Sequence, residues 1–256
     1  MLGYAARSAQ PMAAARPPAS PAGTCAHAVD AMFQISPIFS VPFVQASLPD
    51  SAAMNAELRA LFLAREGEGD RYRNPEPFTH RNAALFESNF RLFDWPQPCV
   101  RKLRDFCMAT LYRCVGELNG YDLETLKRLH VANEAWFHVT RKHGYFGPHN
   151  HPLHSWSGVY CVSHEGDDPA GDSGKLTFIS PFAMNTMYVD MANIGFKGTY
   201  HMSNRMIRMK AGELVLFPSW LLHQVLPYEG DDVRITVAFN ARFQLEGAQP
   251  AEVPIG

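Results

Sequence analysis

The hydrophobic pattern changes its period once along the chain, near residue 130, and this change separates a helical part from a β part. Asp50 or Ser51 can cap a helix on which Leu58, Leu61 and Phe62 share one face, running to about Arg65 before Gly67 and Gly69 end it. A loop with Pro75 and Pro77 follows. From about Pro96 to Leu118, residues Val100, Leu103, Phe106, Cys107, Leu111, Cys114, Val115 and Leu118 recur at helical spacing, which predicts a second helix with one buried stripe. Gly120 stops it. Cys107 and Cys114 lie on that stripe, so packing is their expected role. Phe33-Gln34-Ile35 and Val41-Pro42-Phe43-Val44 read as short strands ahead of the first helix.

Beyond about residue 132 the helical period is gone. Short runs rich in Val, Ile, Phe and Tyr alternate with Gly, Pro and Asp turns, at about 133–140, 156–163, 174–179, 204–209, 213–217 and 232–243. Many short strands at this spacing predict an antiparallel sandwich or barrel. The expected class is α+β: N-terminal helices (about 48–120) packed on a jelly-roll core (about 132–245). Residues 1–31, rich in Ala, Pro and Ser, read as a disordered tail, or as an upstream start with the natural start at Met32. Arg7 and Arg16 give them a faint likeness to a transit peptide.

Composition narrows the function. With 256 residues, 46% hydrophobic and 19% charged, the chain can build one good-sized core. A net charge of −2 without a basic stripe argues against a nucleic-acid partner. No apolar run approaches the roughly 20 residues that cross a bilayer. Five cysteines, an odd number without a CxxC pair, fit a reduced, cytoplasmic protein.

The chemistry concentrates in the histidines, six of which fall between His138 and His164. His149 and His151, bracketed by Pro148 and Pro152, share a face if they sit on a strand, because strand side chains alternate. His223 follows the run Gly212-Glu213-Leu214-Val215-Leu216-Phe217-Pro218-Ser219-Trp220, a turn and a buried strand ending at a rim. The three imidazoles predict a metal site suited to iron, zinc, copper or nickel. On the strand from Val233 to Asn240, Arg234, Thr236, Ala238 and Asn240 form one face and Val233, Ile235, Val237 and Phe239 the other. An arginine fork with a hydroxyl two residues on can anchor a carboxylate. The simpler alternative is a surface ion pair of Arg234 with Asp231, Asp232 or Glu229.

Taken together, these pieces resemble the iron(II)/2-oxoglutarate-dependent oxygenases, in particular a bacterial group with a His-x-His-Pro motif. They are Trp136 with Gly144, His149-Asn150-His151-Pro152, Ser157-Gly158-Val159-Tyr160, Gly174-Lys175-Leu176-Thr177-Phe178, Gly212 to Val225, and Arg234 to Asn240. The resemblance runs over about residues 32–245 and makes residues 32–256 one oxygenase-like domain. It implies a double-stranded β-helix, iron(II) on His149, His151 and His223, and 2-oxoglutarate as co-substrate with its far carboxylate on Arg234 and Thr236. It also implies the reaction: oxygen is consumed, 2-oxoglutarate is converted to succinate and carbon dioxide, and a small-molecule or amino-acid-like substrate is hydroxylated. Membrane and nucleic-acid partners are not expected, and a homodimer stays open.

The sequence departs from the wider superfamily in two places. His151 stands where a carboxylate is usual, leaving Glu165 or Asp172 as alternative ligands, and Cys161 stands where many relatives have a tyrosine. Trp136, His138, Cys161 and Asn240 are the candidate substrate residues, while His143, His154 and His164 are expected in or beside solvated loops. Two other readings compete: a cupin-like metalloenzyme that does not use 2-oxoglutarate, and a non-enzymatic β-barrel binding module. The cupin pattern fits Gly212, Pro218 and His223, yet it leaves Arg234 without a role.

Overall fold

In the computed structural model, which describes residues 34–182 and 189–247, the C-terminal strand is the backbone of the fold. This strand, β10 (Arg234–Leu245), pairs antiparallel with β3 (Leu129–Thr140) along its whole length and with β5 (Trp156–Ser163) on its other edge. The sheet continues through β8 (Glu213–Pro218) to β1 (Val44–Ser47), and beyond β3 to the short β2 (Leu85–Glu87), giving the order β1-β8-β5-β10-β3-β2. A second sheet has the order β4-β9-β6-β7, from β4 (Phe146–His149), β9 (His223–Val225), β6 (Leu176–Phe178) and β7 (Arg205–Ile207). All pairings are antiparallel. Two such sheets in an α+β chain make the expected double-stranded β-helix.

Period-2 alternation sends each long strand's side chains into two different layers. Tyr160, Val162, Leu214, Leu216, Ile235, Val237 and Phe239 face outward into a core shared with the helices. That core receives Met54, Leu58 and Phe62 from α1 (Ala52–Gly67) and Val100, Leu103, Cys107 and Leu111 from α2 (Pro98–Asn119). Phe62 stacks on Phe137 with ring centroids 4.3 Å apart. The alternate residues Cys161, Val215 and Phe217 face inward and meet Leu176, Phe178, Ile207, Met209 and Leu221 between the sheets. Each fully buried Leu or Phe stabilises the fold by roughly 1.5–3 kcal/mol relative to exposure, so the helices are integral to the large sheet.

The helices begin and end close to their sequence signals. Ser51 occupies the cap position of α1, although its side chain makes no capping bond. Pro98 opens α2, where its missing N–H costs nothing. Gly120 adopts φ 66°, a left-handed turn, and donates its N–H to Gly116. Leu118 is the one expected stripe residue that faces water, at 55% exposure, because the stripe has rotated away from the sheet by the last turn. A short helix, α3 (Leu123–Lys127), capped by the Asp122 carboxylate accepting from Thr125 N–H, joins α2 to β3. Gln34 and Ile35 carry no strand, and the expected tail at 1–31 lies outside the described residues. Among the described residues, no helix is long and apolar enough to cross a membrane.

Candidate metal centre

His149 and His223 face each other across two strands that are distant in sequence. β4 and β9 pair so that His149 lies opposite His223, and the two rings are 4.3 Å apart between centroids. His151 closes the triangle at 5.0 Å from His149 and 5.1 Å from His223. One nitrogen from each ring lies within 4.8 Å of the others, and no carboxylate joins this group among the described residues.

The expected alternation is not what brings His151 in. β4 ends at His149, and its register is irregular between Phe146 and His149. His151 lies past the strand end, in a turn fixed by its backbone N–H donating to the Ser219 carbonyl at 2.9 Å. The turn continues through Leu153 at φ 68°.

Two of the rings have their tautomer set by backbone. Nδ1 of His149 is 2.8 Å from the Gly147 carbonyl, and Nδ1 of His223 is 2.9 Å from the Leu221 carbonyl. A carbonyl only accepts, so each Nδ1 carries the proton and each Nε2 presents a bare lone pair. Burial pushes all three imidazoles toward the neutral, ligating form. His151 goes down to about 2, by burial and then by His223 and His149. Burial followed by His149 takes His223 to about 3, and burial also lowers His149. Phe146, Phe178 and Phe217 ring the cluster, with centroids 4.9, 5.9 and 4.9 Å from the nearest of these histidines.

Arg234 lies on the wall of the same cavity, with Thr236 and Ala238 beside it. It is 2% exposed, its Nε has no hydrogen-bond partner, and it makes no ion pair among the described residues. The surface carboxylates open to it in sequence face other partners: Asp231 pairs with Lys142 at 2.8 Å, Asp232 with Arg59 at 2.7 Å, and Glu229 lies 3.0 Å from His143. Burial works against the Arg234 charge, yet a guanidinium does not give up its proton in a protein. A buried cation in that position calls for an anion. Gly174, at φ 59°, makes room for it: a Cβ there would come within 2.9 Å of Arg234 Cδ and 3.0 Å of His164 Nε2.

The remaining candidates divide. Trp136 and His138 line the cavity, with Trp136 packed on His151 at 5.8 Å. Cys161 does not line it; the thiol is packed between the sheets 3.7 Å from the Met209 carbonyl, and burial pushes its pKa up to about 12. Asn240 is held by Ser157, whose hydroxyl donates to its side-chain oxygen at 2.8 Å. Glu165 is exposed and Asp172 pairs with Lys175 at 2.7 Å, so neither carboxylate approaches the histidines. His143 is solvated as expected, whereas His154 is only half-buried, 3.7 Å from Glu134. His164 is a correction: it is buried behind Arg234, its Nε2 3.3 Å from Asp167, because Asp167 is itself clamped by Arg208 and pulls the loop inward. Burial, with Arg234 and Arg208 nearby, lowers His164 to about 4.

One feature had no signal in the sequence. Glu87, on the edge strand β2, pairs with His138 in register and is 4% exposed. Its carboxylate accepts from Arg81 and Asn74, each at 2.6 Å, and lies 3.0 Å from His138 Nε2. Burial alone would raise its pKa; His138, Asn74 and Arg81 outweigh that and lower it to about 2. A strand of three residues shows no period, so Glu87 stood hidden in a loop.

Residues 134–240 match the family model described as "Putative 2OG-Fe(II) oxygenase", and this stretch holds the three histidines and Arg234. That stretch is similar to the 2OG-Fe(II) oxygenases. The chain also resembles solved structures in fold. A prolyl-4-hydroxylase from Pseudomonas putida is 20% identical with TM-score 0.53, over 79% of this chain and 92% of the other. AviO1 from Streptomyces viridochromogenes Tue57 is 15% identical with TM-score 0.53, over 82% and 93%. The epimerase SnoN, solved with Fe3+, alpha ketoglutarate and nogalamycin RO, is 12% identical with TM-score 0.51, over 84% and 88%. No curated protein matches the sequence. The family match, the fold and the three-histidine cluster support an iron(II)- and 2-oxoglutarate-dependent oxygenase that uses molecular oxygen. They also speak against the cupin-like and binding-module readings.

Proposed function

We propose that the oxygenase hydroxylates a small, amino-acid-like or similarly compact molecule in the cytoplasm, with His149, His151 and His223 holding iron(II) and Arg234 and Thr236 holding 2-oxoglutarate. The observation that carries this reading is Arg234: a buried guanidinium without a protein anion, on the wall of a cavity that presents three neutral imidazoles. The residues fit both groups. Bare Nε2 lone pairs suit a divalent metal, and a carboxylate would satisfy the stranded cation. When bound, iron(II) with 2-oxoglutarate supplies oxygen activation, releasing succinate and carbon dioxide and placing one oxygen atom on the substrate.

The protein's own share is binding, orientation and exclusion of water. The backbone carbonyls of Gly147 and Leu221 hold two imidazoles in the ligating tautomer. Arg234 supplies a charge-assisted fork and Thr236, 2% exposed, a hydroxyl beside it. Phe146, Phe178 and Phe217 keep the cluster in an apolar wall. Three neutral ligands leave the metal one unit more positive than two histidines and a carboxylate would, which strengthens its hold on an anionic co-substrate. No basic surface stripe supports a nucleic-acid partner.

Succinate release tests the reading. Protein supplied with iron(II), 2-oxoglutarate and oxygen should form succinate slowly alone and faster with a true substrate from an amino-acid and small-metabolite panel. Bound iron with no succinate under any condition would contradict it.

A further inference from the structure

One conflict in the cavity wall points to the substrate. His138 Nε2 lies 3.0 Å from a Glu87 carboxylate oxygen and 3.1 Å from the indole Nε1 of Trp136. The indole only donates and the carboxylate only accepts, so a single ring nitrogen cannot satisfy both. A charge-assisted bond is roughly twice as strong as a neutral one. Glu87 is also fixed in place by Arg81 and Asn74, at 2.6 Å each, and so cannot turn away. The proton of His138 therefore sits on Nε2 and is donated to Glu87.

This assignment frees two groups at once. The Trp136 N–H, in a residue 4% exposed, is left without an acceptor among the described residues. His138 Nδ1 has no partner among them either, and both side chains line the cavity that contains His149, His151 and His223. A buried indole N–H without an acceptor is costly, so the wall is built to be completed by something else. Glu87 is already neutralised by the Arg81 guanidinium, which leaves no net negative charge for an ammonium group.

We infer that Trp136 N–H and His138 Nδ1 form a donor–acceptor pair that binds a neutral amide or alcohol group of the substrate, with Glu87 as the positioning residue that fixes the His138 tautomer. The inference rests on the oxygenase reading only for calling the ligand a substrate. The recognising chemistry is one oxygen that accepts from the indole and one N–H or O–H that donates to Nδ1.

The test is NMR of 15N-labelled protein loaded with zinc, which is diamagnetic and redox-silent, and saturated with 2-oxoglutarate. His138 should carry its proton on Nε2. Titration with N-methylacetamide or methanol should move the Trp136 indole N–H resonance saturably, and methylammonium should not. A response to only one of the two names the group. Trp136→Phe should weaken the responding probe, read at His138 Nδ1, by about fivefold, the value of one neutral hydrogen bond. Glu87→Gln should move the His138 proton to Nδ1 and weaken the probe similarly while zinc still binds. A bare Nε2 in the wild type, silence toward both neutral probes, or a response to methylammonium alone would overturn the inference. Failure of zinc or 2-oxoglutarate to bind would instead count against the oxygenase reading, and the same titration on metal-free protein would then decide the inference.

Discussion

His149 and His223 are cross-strand partners, placed opposite each other by the pairing of β4 with β9, although 74 positions separate them in the chain. Their rings meet because the small sheet brings its two short strands together at this end. The candidate metal centre thus depends on sheet register for His149 and His223, and on a single turn held by Ser219 for His151.

Ligand replacements should separate these contributions. His149→Ala and His223→Ala should each lower zinc or iron(II) affinity by at least about 100-fold, beyond the 10–100-fold typical of losing an outer-shell partner. His151→Asp should retain metal, since two histidines and one carboxylate form a recognised iron(II) set. Calorimetric metal titration of the three variants reads the outcome. Unchanged affinity in His223→Ala would remove the site.

Arg234→Ala should weaken 2-oxoglutarate binding by about 2–5 kcal/mol, the usual loss when one partner of a buried charge pair is removed. Metal affinity should not change. Equilibrium binding of 2-oxoglutarate to zinc-loaded protein checks this, and equal affinity in variant and wild type would reassign the co-substrate site.

Gly174→Ala should act through the same arginine. The added Cβ would meet Arg234 Cδ at 2.9 Å, in a backbone conformation, φ 59°, that side chains disfavour by roughly 1–2 kcal/mol. Both thermal stability and 2-oxoglutarate affinity should fall. Loss of stability alone would show that the Arg234 position tolerates the shift.

The metal-free protein should lose stability in mild acid. His151, His223 and His164 titrate at about 2, 3 and 4 in the fold, and His149 is also lowered, against an ordinary value of 6.5. Below 6.5 the unfolded chain takes up protons that the folded chain refuses, so stability falls as pH drops. Each imidazole contributes up to about 1.4 kcal/mol per pH unit in that window. Glu87 adds to the loss below about 4.5, where the unfolded carboxylate gains a proton that the folded one refuses down to about 2. Urea unfolding between about pH 7.5 and pH 5 should show the midpoint falling. A flat or rising midpoint would mean that these imidazoles are not buried as described.

Much of this was legible in the chain because long strands and helices repeat their period. β5 occupies 156–163 as read, α2 runs 98–119 against an expected 96–118, and β10 splits into a polar cavity face and an apolar core face at the expected residues. Short elements carry no such signal. β2, with three residues, hid Glu87, and β9, with three, gave His223 no strand of its own. The burial of His164 arises from Asp167 and Arg208, 41 residues apart, a contact that no local pattern announces. Cys161 read as a pocket residue because it follows Tyr160; it shares the inner face with its cross-strand partner Thr236, yet its thiol packs against the Met209 carbonyl rather than lining the cavity.

The central claim is that the three histidines hold a metal which 2-oxoglutarate joins through Arg234. Anaerobic addition of iron(II) and then 2-oxoglutarate tests it directly, by the weak visible charge-transfer band of the chelated metal. The band should appear in the wild type, vanish in His223→Ala, and require far more 2-oxoglutarate in Arg234→Ala. Tight iron binding with no band at any 2-oxoglutarate concentration would contradict the account.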